Sequence, residues 1–145
     1  MKRLLLDVNV ILDVLLERPP HSEHAAALWA LIETGKAAGL LSAHAVTIVH
    51  YLVAHEHDRR RARRAVERLL SVYAVATVDD EVIRTAMRLG WSDFEDAVTA
   101  TAAAAAGCDA LVTRNPRDFK ASPVTIVDAA TAIALILSEE STSRQ

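Results

Sequence analysis

Three consecutive leucines, Leu4 to Leu6, followed at once by Asp7, restrict the fold more than any other stretch of this chain. An apolar run without alternation suits the middle of a parallel sheet, where helices cover both faces. From Val8 to Leu16 the apolar residues take up helical spacing, so Asp7 stands where a strand ends and a helix begins. In an open α/β sheet that carboxyl edge is where binding and chemistry gather. Aspartate is also a good helix cap. Asp7 alone fits either role, and the choice depends on whether other carboxylates reach the same edge.

The rest of the chain alternates helical and strand-like segments. Val8 to Glu17 reads as a short helix stopped by Pro19-Pro20, and His21 to Thr34 as a second helix ending at Gly35. Ala38 to Ser42 reads as strand two, with Ser42 placed to cap a helix from Ala43 to about His55. The basic run through Arg59, Arg60, Arg61, Arg63 and Arg64 opens a fourth helix continuing to Leu70, followed by a strand over Val72 to Val78. A helix over Asp79 to Leu89 precedes Ser92-Asp93-Phe94-Glu95, which has the form of a capping box with Ser92 as cap. The alanine-rich helix from Asp93 to Ala106 follows. Ala110 to Thr113 and Val124 to Val127 are the last strands, and Asp128 caps a final helix through Leu137.

This order predicts an α/β fold: a three-layer α/β/α sandwich around a central, mainly parallel five-stranded sheet. One domain is expected over residues 1–138, with 139–145 as a flexible tail. Hydrophobic residues are 52% and charged residues 24%, a folded rather than a disordered balance. The lone cysteine, Cys108, excludes an intrachain disulfide, and no apolar run approaches the length of a membrane span. A cytoplasmic protein without a membrane partner is the expectation. A net charge of -3 excludes a general nucleic-acid binder, so any such partner needs a local basic patch.

Three acidic clusters stand out. Asp7 is the first. Asp93 and Asp96 share one side of a helix's first turn, where acids are welcome near free N–H groups and also repel one another. Asp118 lies in the turn-forming loop Thr113 to Phe119, after strand four, with Phe119 expected to anchor that loop on the core. Acids arriving from a strand end, a helix start and a loop form an all-oxygen donor set, which suits Mg²⁺ or Mn²⁺ and not zinc. The histidines show no zinc spacing, and no glycine-rich phosphate loop follows strand one, which excludes the nucleotide-binding use of such a sheet.

The stretches LLLDVNVILD (Leu4 to Asp13), LSAHAVTIVHYL (Leu41 to Leu52), DFEDAVTATAAAAAG (Asp93 to Gly107) and CDALVTRNPRDF (Cys108 to Phe119) together resemble a PIN domain. This is the small nuclease fold of many ribonuclease toxins in bacterial toxin–antitoxin pairs. The resemblance implies a catalytic set of Asp7, Asp93, Asp96 and Asp118, with Asp7 and Asp96 as direct metal ligands and Asp93 and Asp118 ligating the metal or holding its bound water. It implies Asn9 orienting Asp7, and Thr113 and Asn115 positioning substrate or water. The glutamate usual in the third helix aligns with Ile48, no acid lies between Leu40 and His55, and His50 is the side chain expected to approach the cleft instead.

The activity so implied is hydrolysis of RNA phosphodiester bonds assisted by Mg²⁺ or Mn²⁺, which would polarise the phosphoryl oxygens and orient a water for in-line attack. Arg59, Arg60 and Arg61, with Arg63 and Arg64, are candidate RNA contacts, and Arg114, Arg117 and Lys120 are nearer the acids in sequence. A cognate antitoxin and a homodimer formed through the early helices are the implied partners. Two other readings accompany this one. The first is a degenerate PIN domain with weak or no catalysis that binds RNA or protein; the second is a plain fold in which each acid is only a cap or a surface residue.

Overall fold

The computed structural model describes residues 1–144. Its sheet has five strands, all parallel, in the order β3-β2-β1-β4-β5. The strands are β1 (Arg3–Leu6), β2 (Ala38–Ser42), β3 (Ala74–Ala76), β4 (Ala110–Val112) and β5 (Ile126–Val127). The helices are α1 (Val8–Leu15), α2 (Ser22–Glu33), α3 (Ala43–Glu56), α4 (Arg59–Val72), α5 (Asp80–Arg88), α6 (Phe94–Ala105) and α7 (Ala129–Ser143), with a 3₁₀ turn at Pro116–Asp118.

The leucine run behaves as its pattern predicts. Leu4 and Leu6 face one core, packed with residues of α1, α2, α3, α4 and α7. Leu5 faces the other way, into a smaller core with Ala100 and Ala103 of α6 and Phe119. A third cluster joins Val82 and Ala86 of α5 to Ala97, Val98 and Ala102 of α6. Because both faces of β1 are covered from Leu4 to Leu6, those three positions are all apolar, and alternation disappears. The small side chains of α6 seat that helix closely on the sheet. Gly39 in β2 has a similar reason: a Cβ there would lie 2.7 Å from Ile32 Cγ2 and from the Tyr73 ring.

The strand order places the site. From β1 the chain winds outward to β2 and β3, then crosses back to put β4 on the other flank of β1. The gap between the carboxyl ends of β1 and β4 is therefore the topological switch point, where an open α/β sheet leaves a crevice. The Asp7 N–H donates to the Val112 carbonyl at 2.9 Å, so the residue after β1 is pinned to the end of β4.

Several boundaries depart from the sequence expectation. Helix α4 runs to Val72, and β3 shortens to three residues because Tyr73 is drawn into the core against Trp29, edge-to-face at 5.1 Å. Ser42 precedes α3 as expected, but its hydroxyl makes no capping hydrogen bond. Helix α7 does not stop at Leu137. It continues to Ser143, tied down by Glu139 to the N-terminal amine (3.2 Å) and by Glu140 to Lys36 (3.0 Å) and Arg144 (3.0 Å). The long-range pairs to the N-terminal amine and Lys36 are invisible in the tail's polar composition. Among the described residues no helix is long and apolar enough to cross a membrane.

Candidate functional site

Asp7 occupies the N-cap position of α1, yet its side chain makes no capping hydrogen bond. It is 8% exposed, and its Oδ2 accepts a hydrogen bond from the Thr113 hydroxyl at 3.2 Å. A carboxylate buried at a strand end and unused as a cap is costly unless something else engages it. Burial raises its pKa, Thr113 and the Val8 N–H lower it, and Glu95 and Asp93 raise it again.

The second cluster opens α6. The cap is Asp93 and not Ser92: the Asp93 carboxylate accepts the Asp96 N–H at 3.0 Å. The capping box is thus displaced by one residue, and Glu95 sits in the first turn without serving as its partner. Asp96 is half-buried, and its pKa is pushed up to about 7, first by burial and then by Asp93, Asp7, Glu95 and Asp118. Asp93, Asp96 and Asp118 line one cleft of about 480 Å³ together with Trp91, Ser92, Arg117 and Lys120. A larger groove of about 800 Å³ opens between β3, α5 and α6, lined by alanine and threonine among others, but Asp7, Asp93, Asp96 and Asp118 do not reach it.

The remaining expected residues divide. Thr113 contacts Asp7 directly, and the Asn115 N–H reaches the Thr113 hydroxyl at 3.4 Å. Asn9 is turned away from Asp7: its side-chain oxygen and backbone carbonyl accept from Arg18 Nη2 at 3.4 and 3.2 Å. Arg117 and Lys120 reach the cleft. Arg59, Arg60, Arg61, Arg63 and Arg64 are exposed on α4 and do not line it. His50 is exposed on α3 and does not line the cleft, and Ile48 is half-buried against the main core and carries no donor atom.

The α3 residue that does reach the site is His44, which the sequence reading passed over. Its Nε2 lies 3.5 Å from the Thr99 hydroxyl of α6, whose own proton goes to the Glu95 carbonyl at 2.9 Å. Nε2–H is therefore the donor, and Nδ1 is left buried with no protein partner. Burial lowers the pKa of His44 against the pull of Asp7. Asp13 was passed over as well. It is 1% exposed, with Arg18 Nε at 3.1 Å and Arg114 Nε at 2.8 Å, and Arg114 adds a second hydrogen bond through Nη2. An acid amid Ile11, Leu12 and Val14 is the signal that could have found it, since a buried carboxylate requires a partner. Arg114 is thereby committed to Asp13, and its pKa is raised mainly by that hydrogen bond.

The PIN domain model matches residues 3–117. The chain belongs to the PIN domain family. Solved structures with the same fold include VapBC2 of Rickettsia felis bound to a promoter DNA fragment, at 13% identity over 87% of this chain and 98% of that one, TM-score 0.70. FitAcB of Neisseria gonorrhoeae aligns at 24% identity over 88% and 98% of the two chains, TM-score 0.64. VapC20 of Mycobacterium tuberculosis, a Sarcin-Ricin loop cleaving toxin, aligns at 16% identity over 74% and 86%, TM-score 0.62. A comparison with curated proteins gives no sequence match.

The donor set of this PIN domain is all carboxylate, which favours a hard cation over zinc. Among the described residues, however, no three histidine, cysteine, aspartate or glutamate side chains converge closely enough to form a ready metal cage. Asp93 in particular is turned to the Asp96 N–H. One or two carboxylates, with water and substrate phosphate completing the shell, is the mode in which Mg²⁺ is usually held.

Proposed function

We propose that this PIN domain is a divalent-metal-dependent endoribonuclease and the toxin of a toxin–antitoxin pair. The observation that carries the reading is the pairing of Asp7 with Asp96. Asp7 is buried at the switch point without serving as a cap, and Asp96 has its pKa raised to about 7 by burial first and then by the charges of Asp93 and Asp7. A divalent cation between them would offset the repulsion of those charges.

Asp7 and Asp96 would hold the ion, Mg²⁺ or Mn²⁺, with Asp118 nearby in the cleft. Such an ion supplies Lewis-acid stabilisation of a phosphoryl oxygen and lowers the pKa of an attacking water. The chain's own residues do the rest. Thr113 fixes one Asp7 oxygen, and Asp93 fixes the first turn of α6 and with it the Asp96 backbone. Arg117 and Lys120 offer cationic contacts for phosphates on either side of the scissile bond. RNA as substrate and an antitoxin as partner rest on the likeness to toxin–antitoxin structures, and a homodimer belongs to the same reading.

The test is cleavage of an RNA panel in Mg²⁺ or Mn²⁺ by the wild type and by D7N and D96N. Both variants are expected to lose at least about 100-fold in rate, and undiminished cutting by either would overturn its assignment. Light scattering reads out the dimer. Growth arrest on expression, relieved by the product of a neighbouring reading frame, reads out the toxin role.

A second reading is favoured by Ile48: α3 brings no acid to the cleft, so the domain could bind RNA or protein with little catalysis. Calorimetric titration with Mn²⁺ separates the two. Binding that D7N and D96N abolish supports the enzyme, and its absence in the wild type supports the binding module.

A further inference from the structure

The cleft that carries Asp93, Asp96 and Asp118 has an aromatic wall. Trp91, one residue after the Gly90 that ends α5, lines it and is half-buried. Its ring meets Phe119 edge-to-face, centroids 5.8 Å apart and planes at 85°. The indole also packs against the apolar clusters around Leu5 and around Val82, and the part of it left exposed lines the cleft. Phe119 is itself buried, and it follows directly on the 3₁₀ turn that carries Arg117 and Asp118. The edge of the cleft bearing Arg117, Asp118 and Lys120 and the aromatic wall are therefore locked together. Trp29, the other tryptophan, is 3% exposed in the main core, against Tyr73 and under the guanidinium of Arg68.

We propose that Trp91 is a stacking platform for an unpaired nucleobase next to the scissile phosphate. This inference rests on the nuclease reading of the same cleft. Indole is large and flat, and a base stacks on it whatever its sequence. A base is neutral, so it can enter beside Asp93 and Asp118 where a phosphate would be repelled. Arg117 and Lys120 stand at the same cleft for the flanking phosphates. A paired base cannot present its face to the indole, which sets single strands apart from duplex. Purines, with the larger ring area, stack better than pyrimidines.

The test uses D96N protein, so that a strand is bound without being cut, and measures binding of labelled oligo(A), oligo(U) and a blunt RNA duplex by fluorescence polarisation. Unlabelled oligo(A) is expected to quench the fluorescence of Trp91 and leave that of Trp29. Oligo(A) should bind more tightly than oligo(U), and both more tightly than the duplex. W91L in the same background keeps the apolar volume and is expected to lose roughly 10-fold in affinity for oligo(A). W91F keeps a ring and should lose no more than about 3-fold. Thermal denaturation of both variants confirms that the fold is kept.

W91L binding oligo(A) within 2-fold of its parent, duplex binding as tightly as single strand, or no RNA binding by the parent would each overturn the platform. The two readings fail separately. Metal-dependent cleavage by the wild type with W91L binding unchanged rejects the platform and leaves the nuclease. Oligo(A) binding that depends on Trp91, without cleavage by the wild type in Mn²⁺, rejects the nuclease and leaves the platform.

Discussion

Asp96→Asn is expected to stabilise the folded protein while removing its activity. A carboxyl whose pKa is higher folded than unfolded holds its proton more readily in the folded state. Its contribution is fully present below the ordinary value of 3.8 and is lost as pH rises through about 7. Were Asp96 deeply buried, that difference would amount to about 4 kcal/mol lost at alkaline pH. It is only half-buried, and solvent screens its neighbours, so about 1–2 kcal/mol is the realistic size. Asparagine has nearly the same shape and never charges. At pH 8.5 without divalent metal, D96N should therefore melt about 3–8 °C above the wild type, and at pH 4 the two should coincide. Differential scanning calorimetry across this range, with EDTA present, reads the effect directly. Addition of Mn²⁺ should raise the wild type toward the variant and leave D96N unmoved. A variant that melts at or below the wild type at pH 8.5 would refute the electrostatic account of the α6 first turn.

Other expectations follow from neighbouring contacts. Asp13→Ala strands Arg18 and Arg114 without their shared carboxylate and should cost about 3 kcal/mol in chemical denaturation, the lower end for a broken buried pair because both guanidiniums can turn to water; a loss under 1 kcal/mol would show the network to be ornamental. Thr113→Val removes the hydroxyl from Asp7 Oδ2, worth about 1 kcal/mol. The pH midpoint of Mn²⁺ binding should then move upward by roughly half to one pH unit, because Asp7 becomes harder to ionise; an unchanged midpoint would count against Thr113 as its partner. Gly39→Ala drives a methyl to 2.7 Å from Ile32 and the Tyr73 ring and should cost about 1–3 kcal/mol, seen as a lowered denaturation midpoint.

The parts of the fold legible in the sequence are those governed by local pattern. The apolar run at Leu4–Leu6, the helical spacing after Val8 and the punctuation at Pro19-Pro20, Gly35, Gly90 and Gly107 identify the elements within a few residues. The PIN domain motifs identify the family. Boundaries went astray where a distant partner intervened: Tyr73 shortening β3 against Trp29, and Lys36 and the N-terminal amine extending α7 through Glu140 and Glu139. The capping box went astray for a subtler reason. Ser92 and Asp93 are both competent caps, and only the backbone path out of Gly90 decides that the Asp93 carboxylate, and not the Ser92 hydroxyl, meets the free N–H.

The sequence by itself determined that a carboxylate stands at the end of the central strand and that more acids open α6, because strand ends and helix starts are local events. Whether Asp7 is a cap was a tertiary matter. Its hydrogen-bond partner is Thr113, 106 residues away, brought alongside only because the chain crosses from β3 back to β4. The same crossing brought Arg114 to Asp13 and α6 with Thr99 to His44 of α3, whereas Asn9 is engaged by Arg18 within its own stretch of chain. Side-chain identity sets which charges exist, and the sheet order sets which of them must share a crevice and shift one another's protons.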